Sequence, residues 1–520
     1  MKLIALIFVF LAFSYNLFGQ QKMIVFLDEK SDQVIDQAQF SERSLARRAK
    51  RGIQFDVKDQ AIKAEYIASL TVDGRILNKS RWLNAVSYTT ALTAEELMMK
   101  YSFIKRVKEI NDIPPRSIDK FAKAEKSLAY GPGFGQVNQL NLNCLHDLGF
   151  TGMGIYMAII DAGFENMQQI EYFDTLFNET RVLDRRNFVT GGSQVYNASG
   201  HGTAVASCIV GEKGQPIEYA GAAVDVDIAL YLTEDVSSET ELEEFNLVAA
   251  LERCDSVGVD VANISLGYVD FDDSLTNHVY ADMDGNSTIA AIGVNVAVSK
   301  GIAVVMAAGN QGPSTISTPC DADDGLCVGA VDFLGDYAFF SSVGPSSDGD
   351  IKPNVVATGL DTWVVLASGD VEPGNGTSFA SPIMAGATAC LIQAHPTKSI
   401  SEIFEAIEMS SSQYTTPDQF KGYGIPDMCL ANDLLNAVVV NELPEESLRV
   451  YPNPSNDYIH IEFKSSSEVN QIALYSAIGE LVLNSQGKED IDVRDLNNGV
   501  YTIRVAGNNF VYHKQVVINH

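Results

Sequence analysis

Ser378, His201 and Asp161 are the residues whose types and settings fit nucleophilic hydrolysis. Such chemistry needs a base to take the serine proton, an acid to orient that base, and donors facing the developing oxyanion. Seven histidines leave few candidates for the base. His146, His395, His460, His513 and His520 lie in helical, strand or terminal settings without small neighbours, and His278 lies in an acidic loop. His201 stands in Ser199-Gly200-His201-Gly202-Thr203-Ala204, where small neighbours leave room for a substrate backbone beside the imidazole. Asp161 follows the apolar run Ile155 to Ile160 and precedes Ala162-Gly163. Ser378 lies in Asn375-Gly376-Thr377-Ser378-Phe379-Ala380-Ser381-Pro382. Asn310, in Ala307-Ala308-Gly309-Asn310-Gln311-Gly312, carries an amide that can donate to an oxyanion. Taken singly, each motif also fits a plain structural role: a helix start, a turn aspartate, a capping serine, an Asn-Gly turn.

The elements around these residues must bring them together. Ile155 to Ile160, Val226 to Leu232, Val261 to Ser265, Ala303 to Ala307 and Cys327 to Val331 read as short buried strands. Helical stretches such as Glu243 to Cys254 and Thr288 to Ser299 separate most of them. That alternation predicts an α/β unit, a parallel sheet with helices on both faces. In such a sheet the carboxyl ends of the strands line the ligand crevice, where Asp161 and Asn310 fall. His201 precedes the apolar helix Ala204 to Val210. Pro382 suits a first helical turn, with the helix continuing from Ile383 to His395. The Ser378 hydroxyl and N–H then lie at a helix N-terminus, which favours negative charge.

The chain order Asp161, His201, Ser378 is the order of subtilisin, not that of chymotrypsin or the α/β hydrolases. The hydrolase elbow G-x-S-x-G is not met, because position 380 is alanine. These motifs resemble the subtilisin-like serine protease family. Asn263-Ile264-Ser265-Leu266-Gly267, and Phe340-Ser341-Ser342 running on to Lys352-Pro353, match as well. The resemblance implies Ser378 as nucleophile, His201 as general base, Asp161 as its orienting acid and Asn310 as oxyanion donor. It also implies that Ser265, Leu266 and Gly267, with Ala308 and Gly309, bind the extended substrate backbone. The family commonly has threonine at Ala162 and aspartate at Asn354, and the triad needs neither. No cofactor is required for this chemistry; many relatives bind calcium, and no ligand set here matches residue by residue.

The chain has 520 residues, which predicts three or four units. Residues 21–125 mix strand and helix signals, a small α+β unit. Through Trp82-Leu83-Asn84-Ala85-Val86 and Leu97 to Ile110 they resemble a subtilisin-type propeptide, which implies an inhibitor domain. Segment 114–135, with Pro114-Pro115 and Gly131-Pro132-Gly133, reads as an exposed linker. The peptidase unit spans 126–440, a linker 441–447, and a small all-β sandwich 448–520. Tyr451-Pro452-Asn453-Pro454, Gly479-Glu480-Leu481-Val482-Leu483 and Leu496-Asn497-Asn498-Gly499-Val500-Tyr501 resemble the C-terminal sorting domain of type IX secretion. That resemblance implies outer-membrane secretion machinery as a partner, then release or attachment to the outer cell surface.

Met1-Lys2 followed by apolar Leu3 to Phe13 reads as a signal peptide within 1–20. Export permits disulfides. Of seven cysteines, Cys320 and Cys327 bracket a polar loop and are the disulfide candidate; Cys208 and Cys390 read as buried hydrophobes. A formal net charge of −31 repels phosphate backbones and sets nucleic acid aside as a partner. Expected substrates are proteins or peptides. Two other readings compete: a binding module on an inert protease scaffold, and an adhesin acting through 448–520. Competent residues at all four catalytic positions weigh against the first. The lack of an aromatic cluster on one strand face weighs against the second.

Overall fold

The computed structural model describes residues 21–31, 34–110, 130–213, 218–436, 448–463, 469–476, 481–485, 490–494, 496–507 and 510–520. The expected signal segment 1–20, the 441–447 linker and most of the first linker lie outside them.

The N-terminal region comprises β1 (Gln21–Leu27), α1 (Glu42–Lys50), α2 (Ala64–Asp73), β2 (Gly74–Ser80), β3 (Ala85–Thr90), α3 (Ala94–Lys100) and β4 (Ile104–Ile110). Its antiparallel sheet has the order β2-β3-β1-β4. Alternation along β1 sends Met23, Val25 and Leu27 to a small core with Leu70, Val86, Tyr88 and Leu97. Ile24 points the other way, into the peptidase core with Trp82, Ala85 and Ile110.

The peptidase region comprises β5 (Tyr156–Asp161), β6 (Val182–Asn187), α4 (His201–Val210), β7 (Asp227–Leu232), α5 (Glu241–Val257), β8 (Val261–Ile264), α6 (Ile289–Ser299), β9 (Ala303–Ala307), β10 (Leu326–Val331), β11 (Val355–Thr358) and α7 (Thr377–Ala394). The sheet is parallel, ordered β11-β10-β9-β8-β5-β7-β6. Strands β5, β8, β9, β10 and β11 are buried throughout, as expected with both faces covered.

By contact, residues 1–431 form one unit and 432–520 another. The second holds two antiparallel sheets, one of three strands and one of four. Ile459, Ile461 and Ile491 of the first share a core with Ile472, Leu474, Ile503 and Val516 of the second, which makes a sandwich.

Three local differences from the sequence reading have physical causes. Gly131 and Gly133 are buried, not exposed linker: Gly131 lies against the Glu218 carbonyl, too close for any side chain. The serine helix starts at Thr377, so Pro382 lies inside it rather than in its first turn. Cys144 and Cys429 form a disulfide across 285 residues, besides the expected Cys320–Cys327. Cys208, Cys254 and Cys390 are free and buried.

The N-terminal domain docks on α5 through buried polar groups. Glu252 accepts hydrogen bonds from the N–H groups of Arg81 and Trp82, at 3.1 and 3.0 Å, and from the Ser80 hydroxyl. Asp255, three residues on and with no exposed surface, receives Arg47 at 2.5 Å, Arg48 at 2.7 Å and Arg81 at 3.0 Å. Lys300 of the peptidase reaches back to Asp59 at 3.0 Å. Removing the shared carboxylate leaves three guanidinium groups short of their counter-ion. Asp255→Ala should weaken docking by about 3–5 kcal/mol. Hydrogen exchange over 42–50 in the full chain reads this, and unchanged protection would refute the account.

Candidate active site

Asp161 is the last residue of β5 and has no exposed surface. Its Oδ1 lies 2.8 Å from Nδ1 of His201 and accepts the Ala162 N–H at 2.8 Å. His201 is the first residue of α4, whose N-terminus reaches the end of β5 because Gly202 has no side chain. A Cβ there would meet the Gly163 carbonyl at 2.5 Å and the Asp161 Cβ at 2.9 Å. The Gly202 N–H instead donates to that carbonyl at 3.0 Å. The His-Gly pair thus follows from close packing of helix on strand.

Ser378 is the second residue of α7, with 7% of its surface exposed. The ring of Phe379 lies 6.0 Å from that of His201, so the two helix N-termini meet at the site. Pro382 carries no N–H, and the Ser378 carbonyl therefore lacks its partner four residues on. The Ser265 hydroxyl donates to it at 2.9 Å. Asn263 donates to Ser265 at 2.9 Å and accepts from Ser381 at 2.8 Å. The proline inside the helix is thus matched by a serine beyond the end of β8.

Asn310 lies past the end of β9. Its Oδ1 accepts from both the N–H and the hydroxyl of Thr377, at 2.9 and 3.1 Å. That leaves Nδ2 as the free donor. A Cβ built on Gly376, where φ is +155°, would lie 2.8 Å from the Ser378 Oγ and 3.8 Å from the Asn310 Nδ2. The bare glycine lets these two groups converge.

All four expected catalytic residues therefore gather at the carboxyl ends of β5 and β9 and the N-termini of α4 and α7. Of the expected substrate-binding residues, Ser265 and Ala308 are buried, Leu266 and Gly309 are half-buried and Gly267 is exposed. Sequence reasoning missed Thr377, Gly202 and Ser381 as supports, although each stands inside a motif already singled out.

The sheet-end geometry suits acyl transfer from a serine. The sequence profile of the subtilase family matches residues 152–424, more than half of the chain. The chain belongs to the subtilase family. Profiles for the Bacteroidota peptidase S8 propeptide domain and for a secretion system C-terminal sorting domain match 22–126 and 449–519. Among curated relatives, Subtilisin NAT of Bacillus subtilis subsp. natto is 28% identical over 358 residues, 68% of this chain and 81% of that protein. Subtilisin DY of Bacillus licheniformis is 30% identical over 276 residues, 52% of this chain and 88% of that protein. The subtilase chain is a serine endopeptidase with its own propeptide and a type IX sorting tail that sends it outside the cell or to its surface. No helix among the described residues is long and apolar enough to cross a membrane.

Burial alone would lower the basicity of His201, but the Asp161 charge and hydrogen bond outweigh it and hold the imidazole above its ordinary value of 6.5. About a third of the side chain, 35%, is exposed, so the outer edge stays open to a substrate. Among the described residues, two sets of carboxylates come close enough to share an ion: Glu234 with Glu239 and Glu243, and Asp323 with Asp348 and Asp350. In the first, burial and the charge of Glu239 push Glu234 up to about 8, burial and the charges of Glu234 and Glu239 push Glu243 up to about 10, and burial and the charge of Asp272 push Glu239 up to about 7. Glu234 accepts from Thr233 and Tyr268, and Glu243 from two backbone N–H groups. Neither cluster is assigned a metal.

With His201 as the base expected from sequence, the working form is neutral, and activity should be lost as pH falls through its raised pKa. The acid limb of kcat/KM should have its midpoint above 6.5. In Asp161→Asn that midpoint should shift to lower pH, with a rate loss on the order of 10⁴. An unshifted midpoint in the variant would contradict the pairing.

Proposed function

We propose that Asp161, His201 and Ser378 form the catalytic triad of this endopeptidase, and that Asn310 with the Ser378 N–H makes the oxyanion hole. The reading is carried by the 2.8 Å hydrogen bond between buried Asp161 and half-buried His201, beside a serine at a helix N-terminus.

The Ser378 Oγ attacks the peptide carbonyl while His201 Nε2 takes its proton. Asp161 holds the proton on Nδ1 and stabilises the imidazolium that forms. The carbonyl oxygen, now an anion, accepts from Asn310 Nδ2 and the Ser378 N–H, and the dipole of α7 favours the same charge. His201 returns the proton to the leaving amine, and an acyl-enzyme remains. Water then takes the place of the serine, with the same base and donors acting in reverse order. Every step uses this chain's own residues and requires no cofactor.

Segment 266–267 past β8 would pair with the extended substrate backbone. The chain is made as a zymogen: residues 22–110 dock on α5 and on Lys300 and Gly301 just past α6, and self-cleavage between 111 and 129 would separate propeptide from peptidase. Outer-membrane type IX machinery would recognise 448–520.

A serine-directed fluorophosphonate should label the processed protein on Ser378, and label should be absent from Ser378→Ala and sharply reduced in His201→Ala. Asn310→Ala should keep the label and lower kcat about 10²–10³-fold, a magnitude known from subtilisin itself. Labelling elsewhere, or full peptide hydrolysis by Ser378→Ala, would contradict the assignment.

A further inference from the structure

We propose that the groove between the propeptide and α5 binds a small multivalent anion of the oligophosphate class, which bridges the two and holds the propeptide in place. Binding stands on the groove alone; its effect on latency rests on the zymogen reading above.

The groove has a volume of about 680 Å³, within the range of small-ligand sites. One wall is residues 74–79 of β2. The other is α5, at Ala249, Glu252 and Arg253, with Arg186 and Phe188 at the end of β6. The groove is therefore complete only while the N-terminal domain is docked.

Its charge is opposite to that of the chain. The formal net charge is −31, yet Arg75, Lys79, Arg81, Arg186 and Arg253 all line this one space. Arg253 is answered by Asp184, at 2.8 and 3.1 Å, and Arg81 by Asp255 at 3.0 Å. Arg75, Lys79 and Arg186 are exposed and have no carboxylate partner among the described residues. Glu252, the one carboxylate in the lining, is already taken. Its two oxygens accept from the Ser80 hydroxyl and from the N–H groups of Arg81 and Trp82. The Arg186 guanidinium lies 5.2 Å from the centre of the Phe188 ring, which occupies its face and leaves its N–H edge for a ligand. Guanidinium forks match phosphate oxygens in pairs. A cleft lined by one sign of charge concentrates the opposite ion.

An extended acidic peptide is the rival occupant, because β2 is the outer strand of its sheet and pairs with β3 alone. The register of β2 shifts between Ile76 and Asn78. Such a bulge interrupts the regular ladder that an added strand needs. Arg186 and Arg253 also come from the peptidase, so the cations are more than guards of a free strand edge. A compact anion meets both walls at once. A long polyanion would extend beyond the screening distance of about 10 Å into the acidic surroundings.

A ligand that binds only the docked form stabilises docking by mass action. At ten times its Kd, the undocked population falls about tenfold.

The test uses the full chain without residues 1–20 and with Ser378→Ala, so that self-cleavage does not intervene, and inorganic tripolyphosphate as the probe. Calorimetry at low salt should show one saturable site. Arg75→Gln, Lys79→Gln and Arg186→Gln change exposed side chains, and each should weaken binding about fivefold or more. Arg185→Gln should leave it unchanged, because Arg185 lies over Tyr196 and outside the groove. At ten times Kd, hydrogen exchange over 42–50, also outside the groove, should slow about tenfold. Absence of saturable binding overturns the proposal, as does an equal loss in Arg185→Gln, which would mean diffuse charge attraction. Saturation with unchanged exchange over 42–50 overturns the bridging role. Tighter binding of hexaglutamate than of tripolyphosphate overturns the ligand class and assigns the groove to acidic peptides. None of these readouts needs catalysis, so failure of the protease reading would leave them interpretable.

Discussion

Asp161 has no exposed surface, and its Oδ1 faces Nδ1 of His201 across 2.8 Å. An ionised carboxylate loses several kcal/mol of solvation on burial and persists only when paired and hydrogen-bonded. The fold around it supplies two donors, both to Oδ1. Strand β5 carries the carboxylate to the end of a sheet buried on both faces. Gly202 brings the α4 N-terminus against it, and the Ala162 N–H supplies a second donor. Because helix and strand meet at glycines, the imidazole is held by backbone packing rather than by a flexible side chain alone.

The nucleophile depends on a second constraint. Pro382 removes the N–H that the Ser378 carbonyl would otherwise receive, and Ser265 replaces it from the end of β8. Through Asn263 and Ser381 this links the serine helix to the segment proposed to bind substrate. Thr377 does the same for Asn310, fixing the amide so that its N–H₂ end remains free. Positions that look like ordinary hydroxyl residues inside a motif therefore hold the reacting groups in register.

Much of this was legible in the sequence because it is local. Strands β5, β8, β9 and β10 are short apolar runs, and the glycines beside His201 and Ser378 announce close approach. What was not legible depends on distant partners. Cys144 and Cys429 are separated by 285 residues, and cysteine spacing cannot give such connectivity. The burial of Gly131 and Gly133 depends on packing against residues 218–219. Pro382 reads as a helix start because proline is tolerated there, and only the Ser265 hydroxyl makes its interior position tolerable. No local pattern marks the arginines of α1 for burial, yet Arg47 and Arg48 are buried on Asp255. A charge run looks exposed until its counter-ion, more than 200 residues away, is located.

The docked N-terminal domain and the peptidase share one hydrophobic core, so these two form a single unit that chemistry at Ser378 is expected to divide. The most direct measurement is the intact mass of wild type and Ser378→Ala, expressed side by side without residues 1–20. The account predicts that wild type separates into two fragments cut between 111 and 129, while Ser378→Ala stays whole and folded. The same cut in Ser378→Ala, made without any added protease, would contradict it.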